Sequence, residues 1–234
     1  MTSSAMPDEI SKFGALAHRW WDPHGPMAPL HAMNPLRTAW AQTQFAAGDV
    51  RSTRLLDVGC GAGIASEAMA RLGHDVLGID ASDEGIDAAV LHAQDSILSV
   101  NYRVATTETL LREAERFPAI TAFEVIEHVA DPAQFVEMLA DLLLPGGMVV
   151  LSTLNRTRAS FLTAKFGAEY VLRLLPVGTH DWRRFIAPEE LSRMLRNSGL
   201  RVTGLAGMSF HPLKMRWTST RDLSINYLIA AQKV

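Results

Sequence analysis

The sequence is short of cysteine and has no long apolar run. Its single cysteine, Cys60, cannot form an intramolecular disulfide or supply a thiolate cluster for zinc, which suits a reducing cytoplasm. No stretch reaches the roughly 18 apolar residues that suggest a spanning helix, and the first residues lack the basic segment and apolar run of a secretion signal. We therefore expect a cytoplasmic protein that is either in solution or peripheral on the inner face of the membrane.

Excess charge of one sign is also missing. The 22 Lys and Arg residues nearly balance the 25 Asp and Glu residues, giving a formal net charge of −3. A nucleic-acid partner would need a strong local basic patch, and none dominates, so we expect no such partner. Hydrophobic residues, in contrast, make up 48% of the 234 residues. That content is ample for one buried core, and we predict a single domain over residues 1–234.

Short apolar runs alternate with helical patterns through the middle of the chain. Runs bounded by Gly, Pro, Asp or Asn predict buried strands at residues 55–58, 75–80, 100–105, 119–125 and 147–154. Asp131 and Pro132 are placed to begin a helix between the last two. Another helix, ended by Gly199, precedes strand candidates at 201–206 and 225–231. The alternation predicts right-handed crossovers and a doubly wound, mostly parallel α/β sheet.

Two regions fall outside this alternation. Residues 8–48 predict an N-terminal helical cap, in which Asn34 and Pro35 are placed to begin a helix. Residues 155–184 interrupt the pattern after the fifth strand, and they mix apolar and basic residues at helical spacing. An amphipathic helix of this kind is either a lid packed on the domain or, through residues 158–176, a peripheral contact with a membrane.

A glycine-rich turn follows the first predicted strand. Gly59, Gly61 and Gly63 would let the backbone approach a ligand closely. A dinucleotide fingerprint would place its third glycine at position 64, where this chain has Ile64. Asp57 would repel a pyrophosphate but suits a ligand that carries a cationic amine.

S-adenosylmethionine carries such an amine, and a carboxylate that the helix N-terminus can receive. Asp80 ends the second predicted strand, where an acidic side chain can accept both hydroxyls of a ribose. The alternative is a tight turn with no ligand and a loop-capping Asp80. The agreement of Asp57, the glycines and Asp80 favours the cofactor.

Six segments resemble one family over the chain from about Phe13 to the C-terminus. They are LLDVGCGAG, EVIEHV, PGG, STLNR, GAEYVLRLLPVGTHDW and RWWDPHGPMAPLHAMNPLR, of which RWWD, NPLR and GTHD are the most specific. The chain resembles the ubiquinone-biosynthesis O-methyltransferases, which methylate phenolic hydroxyls of polyprenylated intermediates with S-adenosylmethionine. The resemblance implies a Rossmann-like class I methyltransferase fold, with seven strands and the last one antiparallel. A polyprenylated phenol or quinol substrate and contact with a ubiquinone-biosynthesis complex are expected with it.

The resemblance also assigns cofactor contacts to Arg37, Gly59, Asp80 and Phe123, to which the turn analysis adds Asp57 and Gly61. Arg37 would pair with the methionine carboxylate and Phe123 would supply apolar contact. From composition alone, Arg37 would be an exposed arginine in the first turn of a helix. Pro118 and Ala119 depart from the family, which usually has an acidic residue at the start of that strand.

The set Glu124, Glu127 and His128 is associated in the family with a divalent cation, expected to be Mg²⁺. A single imidazole also suits Mn²⁺ or Zn²⁺, and the alternative is that Glu127 and His128 only satisfy backbone groups at a helix start. The catalytic candidates are His128, as general base, and Glu124. Two other functions stay open: methylation of another small phenol or quinol, and a non-catalytic scaffold.

Overall fold

The computed structural model describes residues 19–162, 182–211 and 216–234. Strands and helices alternate as the sequence predicts. The helices are α1 (Ala28–Ala47), α2 (Ile64–Arg71), α3 (Asp83–Asp95), α4 (Thr107–Arg112), α5 (Pro132–Leu142), α6 (Arg158–Leu162) and α7 (Pro188–Asn197). The strands are β1 (Arg54–Val58), β2 (Asp75–Asp80), β3 (Asn101–Val104), β4 (Phe117–Phe123), β5 (Leu143–Leu154), β6 (Leu200–His211), β7 (Arg216–Thr220) and β8 (Asn226–Lys233).

The strands form one sheet in the order β3-β2-β1-β4-β5-β8-β6-β7. The pairs among β1 to β5 are parallel, whereas β8 lies antiparallel between β5 and β6. The doubly wound fold is therefore confirmed. The sheet has eight strands among the described residues, one more than predicted, because β7 adds an edge strand antiparallel to β6. Its sequence, RWTST, contains no apolar run, as befits a strand that pairs on one side only.

Alternate residues of the central strands enter cores on opposite faces of the sheet. In β1, Leu56 packs with one core and Leu55 with the other. The first core is covered by α5 and α7, and the second by α1 and α2. Because each strand is buried on both faces, it reads as a continuous apolar run. This three-layer packing brings the carboxyl ends of β1, β2 and β4 to one edge of the sheet.

The helix starts agree with the sequence in one case and differ in another. Asp131 begins α5, since its carboxylate accepts from the amides of Ala133 and Gln134. The predicted start at Asn34 is wrong: α1 begins at Ala28 and continues through Pro35. Asn34 does not cap its own helix because its side-chain amide donates to the carbonyl of Ile64, 2.9 Å away in α2.

The predicted insertion at 155–184 is described only at its two ends. Trp182 Nε1 donates to the Thr157 carbonyl at 2.8 Å, and its ring lies edge-on to Phe161, with centroids 5.9 Å apart. The two ends therefore lie side by side after β5. Most of the predicted membrane contact at 158–176 and the first part of the predicted cap at 8–48 lie outside the described residues. Within the described ranges, no helix has the length and apolar character to cross a membrane.

Candidate active site

The glycine turn between β1 and α2 has left-handed backbone at each glycine. The φ angles are +67° at Gly59 and +52° at Gly61, which side chains rarely tolerate. Space is closed to a side chain as well: a Cβ at Gly59 would lie 2.5 Å from Val125 Cγ2, and one at Gly61 would lie 2.5 Å from Trp20 Cζ2. The glycines therefore let Val125 and Trp20 pack directly on the turn.

Asp80 joins the end of β2 to this turn. Its Oδ2 accepts from the Gly61 amide at 2.8 Å, and its Oδ1 accepts from the Ser82 amide at 2.9 Å. Burial raises the pKa of the carboxyl, while these two hydrogen bonds act in the opposite direction. A carboxylate oxygen can accept more than one hydrogen bond, so Asp80 keeps acceptor capacity for a ligand hydroxyl.

Asp57 lies in the interior beneath the turn, with 2% of its surface exposed. Its carboxylate accepts from Ser66 Oγ at 2.6 Å and from Thr121 Oγ1 at 2.7 Å. Burial raises its pKa despite these two bonds. Asp57 therefore connects β1 to α2 and β4, and its contact with a cationic amine stays a prediction.

Arg37 is buried rather than on the surface, with 3% exposure in α1. Its guanidinium carbon lies 5.2 Å from the centroid of the Phe123 ring, and its NH1 lies 3.9 Å from Glu124 Oε1. Burial lowers the pKa of Arg37, and the nearby Glu124 carboxylate is the largest influence that raises it. Its Nε has no hydrogen-bond partner, so the site holds a buried cation with unused donor capacity.

Glu124 follows β4 in a strained conformation. Its φ is +56°, in the left-handed region that non-glycine residues rarely adopt. Ser152 on β5 holds it twice: the Ser152 carbonyl accepts from the Glu124 amide at 3.0 Å, and the Ser152 hydroxyl donates to Glu124 Oε1 at 2.7 Å. Backbone strain of this kind clusters at functional sites, and here it directs a carboxylate toward Arg37.

The three predicted metal ligands are not brought together as one group. The described part of the chain contains no group of three His, Cys, Asp or Glu side chains placed to hold a metal ion. The expected spacing required a helical turn through Glu124, Glu127 and His128, but only Ile126–His128 is helical, as one 3-10 turn, and Glu124 lies outside it. Glu127 points inward and accepts from Thr153 Oγ1 at 2.8 Å.

Glu127 also favours its protonated form. Burial raises its pKa well above the ordinary value, and the adjacent Glu124 charge adds to the effect. His128 is half-buried on the same turn, with its amide donating to the Val125 carbonyl at 2.9 Å. The role of Glu124, Glu127 and His128 as Mg²⁺ ligands therefore stays a prediction, and no step of the reaction is assigned to a metal ion.

The tryptophan pair before α1 also belongs to the site. Trp21 Nε1 donates to the Ala62 carbonyl in the glycine turn at 2.9 Å. The Trp21 ring stacks on His92, with centroids 3.4 Å apart and planes 3° from parallel, and His92 Nδ1 lies 2.6 Å from Glu67 Oε1. The RWWD segment thus covers the turn. The sequence marks RWWD as one of the segments most specific to the family, but it assigns no site role to either tryptophan.

Comparisons with known proteins agree with this geometry. A family model described as a methyltransferase domain matches residues 31–205. A crystal structure of magnesium protoporphyrin IX methyltransferase from Synechocystis PCC 6803 with bound S-adenosylmethionine has a TM-score of 0.66, at 15% identity over 100% of both chains. A methyltransferase from Thermotoga maritima has a TM-score of 0.67, at 17% identity over 98% of this chain and 100% of the other. The chain has the fold of the S-adenosylmethionine-dependent methyltransferases.

Relatives with similar sequences identify the family within this fold. A ubiquinone biosynthesis O-methyltransferase from Cereibacter sphaeroides is 47% identical over 98% of this chain and 97% of its own length. A protein of the same name from Leptothrix cholodnii is 46% identical over 98% of each chain. This chain belongs to the ubiquinone biosynthesis O-methyltransferase family, which confirms the resemblance found in the sequence.

Proposed function

We propose that the protein transfers a methyl group from S-adenosylmethionine to a phenolic hydroxyl of a polyprenylated phenol or quinol in ubiquinone biosynthesis. The observation that carries this proposal is the buried, incompletely paired Arg37 over Phe123, in a chain that is 47% identical to a ubiquinone biosynthesis O-methyltransferase. A buried guanidinium next to a glycine-rich turn suits a ligand with a carboxylate and a nucleoside. The cofactor has both.

The roles of the binding residues follow from their contacts. Arg37 would pair with the methionine carboxylate and Phe123 would line the cofactor, while Asp80 would accept the ribose hydroxyls. Gly59 and Gly61 would shape the turn around the cofactor. The bound cofactor supplies a sulfonium methyl group that is open to displacement. Holding the acceptor oxygen in line with the carbon–sulfur bond accounts for much of the acceleration, because orientation removes the entropy of encounter.

The acceptor must lose its proton as the new bond forms. The phenolic oxygen attacks the methyl carbon, the carbon–sulfur bond breaks, and S-adenosylhomocysteine leaves with both bonding electrons on sulfur. An ordinary phenol has a pKa of about 10, so a general base is required near neutral pH. We assign this role to His128, which is half-buried at the carboxyl end of β4. Glu124 is assigned to orienting Arg37, since its carboxylate is already engaged by Ser152.

Methyl transfer from labelled S-adenosylmethionine to a short-chain demethylated ubiquinol analogue tests the proposal. We expect transfer to continue after chelation of divalent cations, and His128→Gln to lower kcat at neutral pH by at least about 100-fold, as for loss of a general base. His74→Gln is the matched control, because His74 is half-buried just before β2, at the opposite edge of the sheet. Loss of transfer on chelation, with recovery on adding Mg²⁺, would contradict the assignment of deprotonation to His128 without a metal ion. Cofactor binding without any methyl transfer would contradict the proposed class of substrate.

The lipophilic substrate also supports a place for the protein at the inner face of the membrane, next to other enzymes of the pathway. We propose that residues 158–176 make this contact. Co-sedimentation with vesicles of anionic lipid would test it: deletion of that segment should abolish the binding and leave the affinity for S-adenosylhomocysteine unchanged. Equal sedimentation of both forms would refute the assignment to these residues.

A further inference from the structure

Two buried polar atoms in α1 lack hydrogen-bond partners, and they are of opposite kinds. Asn34 Oδ1 is an acceptor and Arg37 Nε is a donor. The side chains are 7% and 3% exposed, so water does not readily serve either atom. They are three residues apart in a helix and therefore share one face. A buried polar atom without a partner costs on the order of 1–3 kcal/mol, which favours a ligand that satisfies both.

The position of the Asn34 amide is fixed. Its Nδ2 donates to the Ile64 carbonyl at 2.9 Å, and Ile64 is the first residue of the helix that follows the glycine turn. The oxygen of the same amide is thereby held beside the start of α2. That oxygen can only accept, so its missing partner must be a donor. Arg37 does not supply one, because Asn34 Oδ1 accepts no hydrogen bond from any group of the described residues.

We propose that Asn34 binds the α-ammonium of the methionine end of the cofactor, next to the carboxylate held by Arg37. This rests on the proposed function insofar as S-adenosylmethionine is the ligand. An α-amino acid carries an ammonium and a carboxylate on one carbon. The ammonium supplies the donor that Asn34 Oδ1 lacks, and the carboxylate supplies the acceptor that Arg37 Nε lacks. The Arg37 cation would repel an ammonium in the absence of a nearby acceptor. Asn34 supplies that acceptor without adding a further buried charge.

The test compares two ligands that differ only at this group. One is S-adenosylhomocysteine, and the other is its deaminated analogue, in which hydrogen replaces the α-ammonium. We expect the wild-type protein to prefer S-adenosylhomocysteine, in calorimetric titrations. Asn34→Ala should weaken binding of S-adenosylhomocysteine by about 10- to 100-fold, as for a lost hydrogen bond to a charged group. Binding of the deaminated analogue should change by less than about twofold, within the usual limit for independent sites.

Two further variants keep the result interpretable. Thr38→Val is the control, since Thr38 is buried one turn later and its hydroxyl bonds only within α1, so both affinities should be unchanged. Asn34→Asp keeps an acceptor but loses the donor to Ile64, so it should retain the preference. If Asn34→Ala is unfolded, Asn34→Asp decides, and loss of its preference would overturn the proposal.

The remaining outcomes separate this inference from the function. Equal weakening of both ligands by Asn34→Ala would show that Asn34 only joins α1 to α2, and would overturn the inference. Equal affinities of the wild-type protein for the two ligands would overturn it as well. If Asn34→Ala removes the preference for S-adenosylhomocysteine over the deaminated analogue, the inference is supported. This holds even if the quinol analogue is never methylated, a result that would contradict only the proposed substrate.

Discussion

Replacing Arg37 with Met should separate cofactor binding from stability. A buried guanidinium that loses its carboxylate ligand is expected to cost about 3 kcal/mol of binding free energy, or roughly 150-fold in Kd for S-adenosylhomocysteine. The unliganded protein should tolerate the change to within about 1 kcal/mol, since an apolar side chain of similar length removes the desolvation cost that lowers the Arg37 pKa. The Met thioether would still contact the Phe123 ring.

The assay is calorimetric titration with S-adenosylhomocysteine, together with thermal unfolding with and without the ligand. We expect a Tm within about 4 °C of wild type without ligand, and a much smaller ligand-induced rise in Tm. Arg54→Met is a matched control: Arg54 lies over Phe117, 4.5 Å from the ring centroid, at the start of β1 and far from the turn. A lowered Tm with unchanged affinity would refute the role of Arg37 and make it a structural residue.

Three further predictions concern carboxylates. Asp80→Ala should abolish cofactor binding and also lower Tm, because the Gly61 amide loses its acceptor; an unchanged Kd by titration would refute the assignment. Glu124→Ala should weaken binding of S-adenosylhomocysteine by at least the factor by which it lowers kcat, because Arg37 loses the carboxylate that orients it; a lower kcat with unchanged affinity would contradict this role. Glu127→Gln should flatten the pH dependence of stability. Since burial raises the Glu127 pKa, the folded state holds this proton more tightly, so wild-type stability should fall as pH rises above the ordinary carboxyl value. The Tm advantage of Glu127→Gln over wild type should therefore grow as pH rises above the ordinary carboxyl value, and parallel Tm curves would contradict the raised pKa.

Much of the sheet could be predicted because its central strands are buried on both faces. The strand predicted at 75–80 has the observed limits Asp75–Asp80, and the others are displaced by a few residues. The displacement of β4 from its predicted limits has a physical reason. This strand begins at Phe117 rather than at 119, with a register shift against β5 at Pro118, whose missing amide hydrogen suits an irregular position.

Side-chain partners were beyond the reach of sequence spacing. A helical spacing after β4 predicts that Glu124, Glu127 and His128 share one face. It could not reveal that the backbone at Glu124 adopts the left-handed conformation, which takes Glu124 out of the helical turn. The burial of Arg37 depends on α1 packing against α2 and the sheet.

The position of β8 in the sheet has a consequence for the order in which the protein folds. The five parallel strands need no pairing partner later in the chain than Leu154, whereas β5 also pairs with β8, in which Asn226 faces Leu154. Closing so long a loop is entropically costly, and it slows the pairing that depends on it. The hairpin of β6 and β7 reaches the rest of the sheet only through β8. We therefore expect the half that contains the glycine turn to form early, and the antiparallel half to dock as a unit in a slower phase.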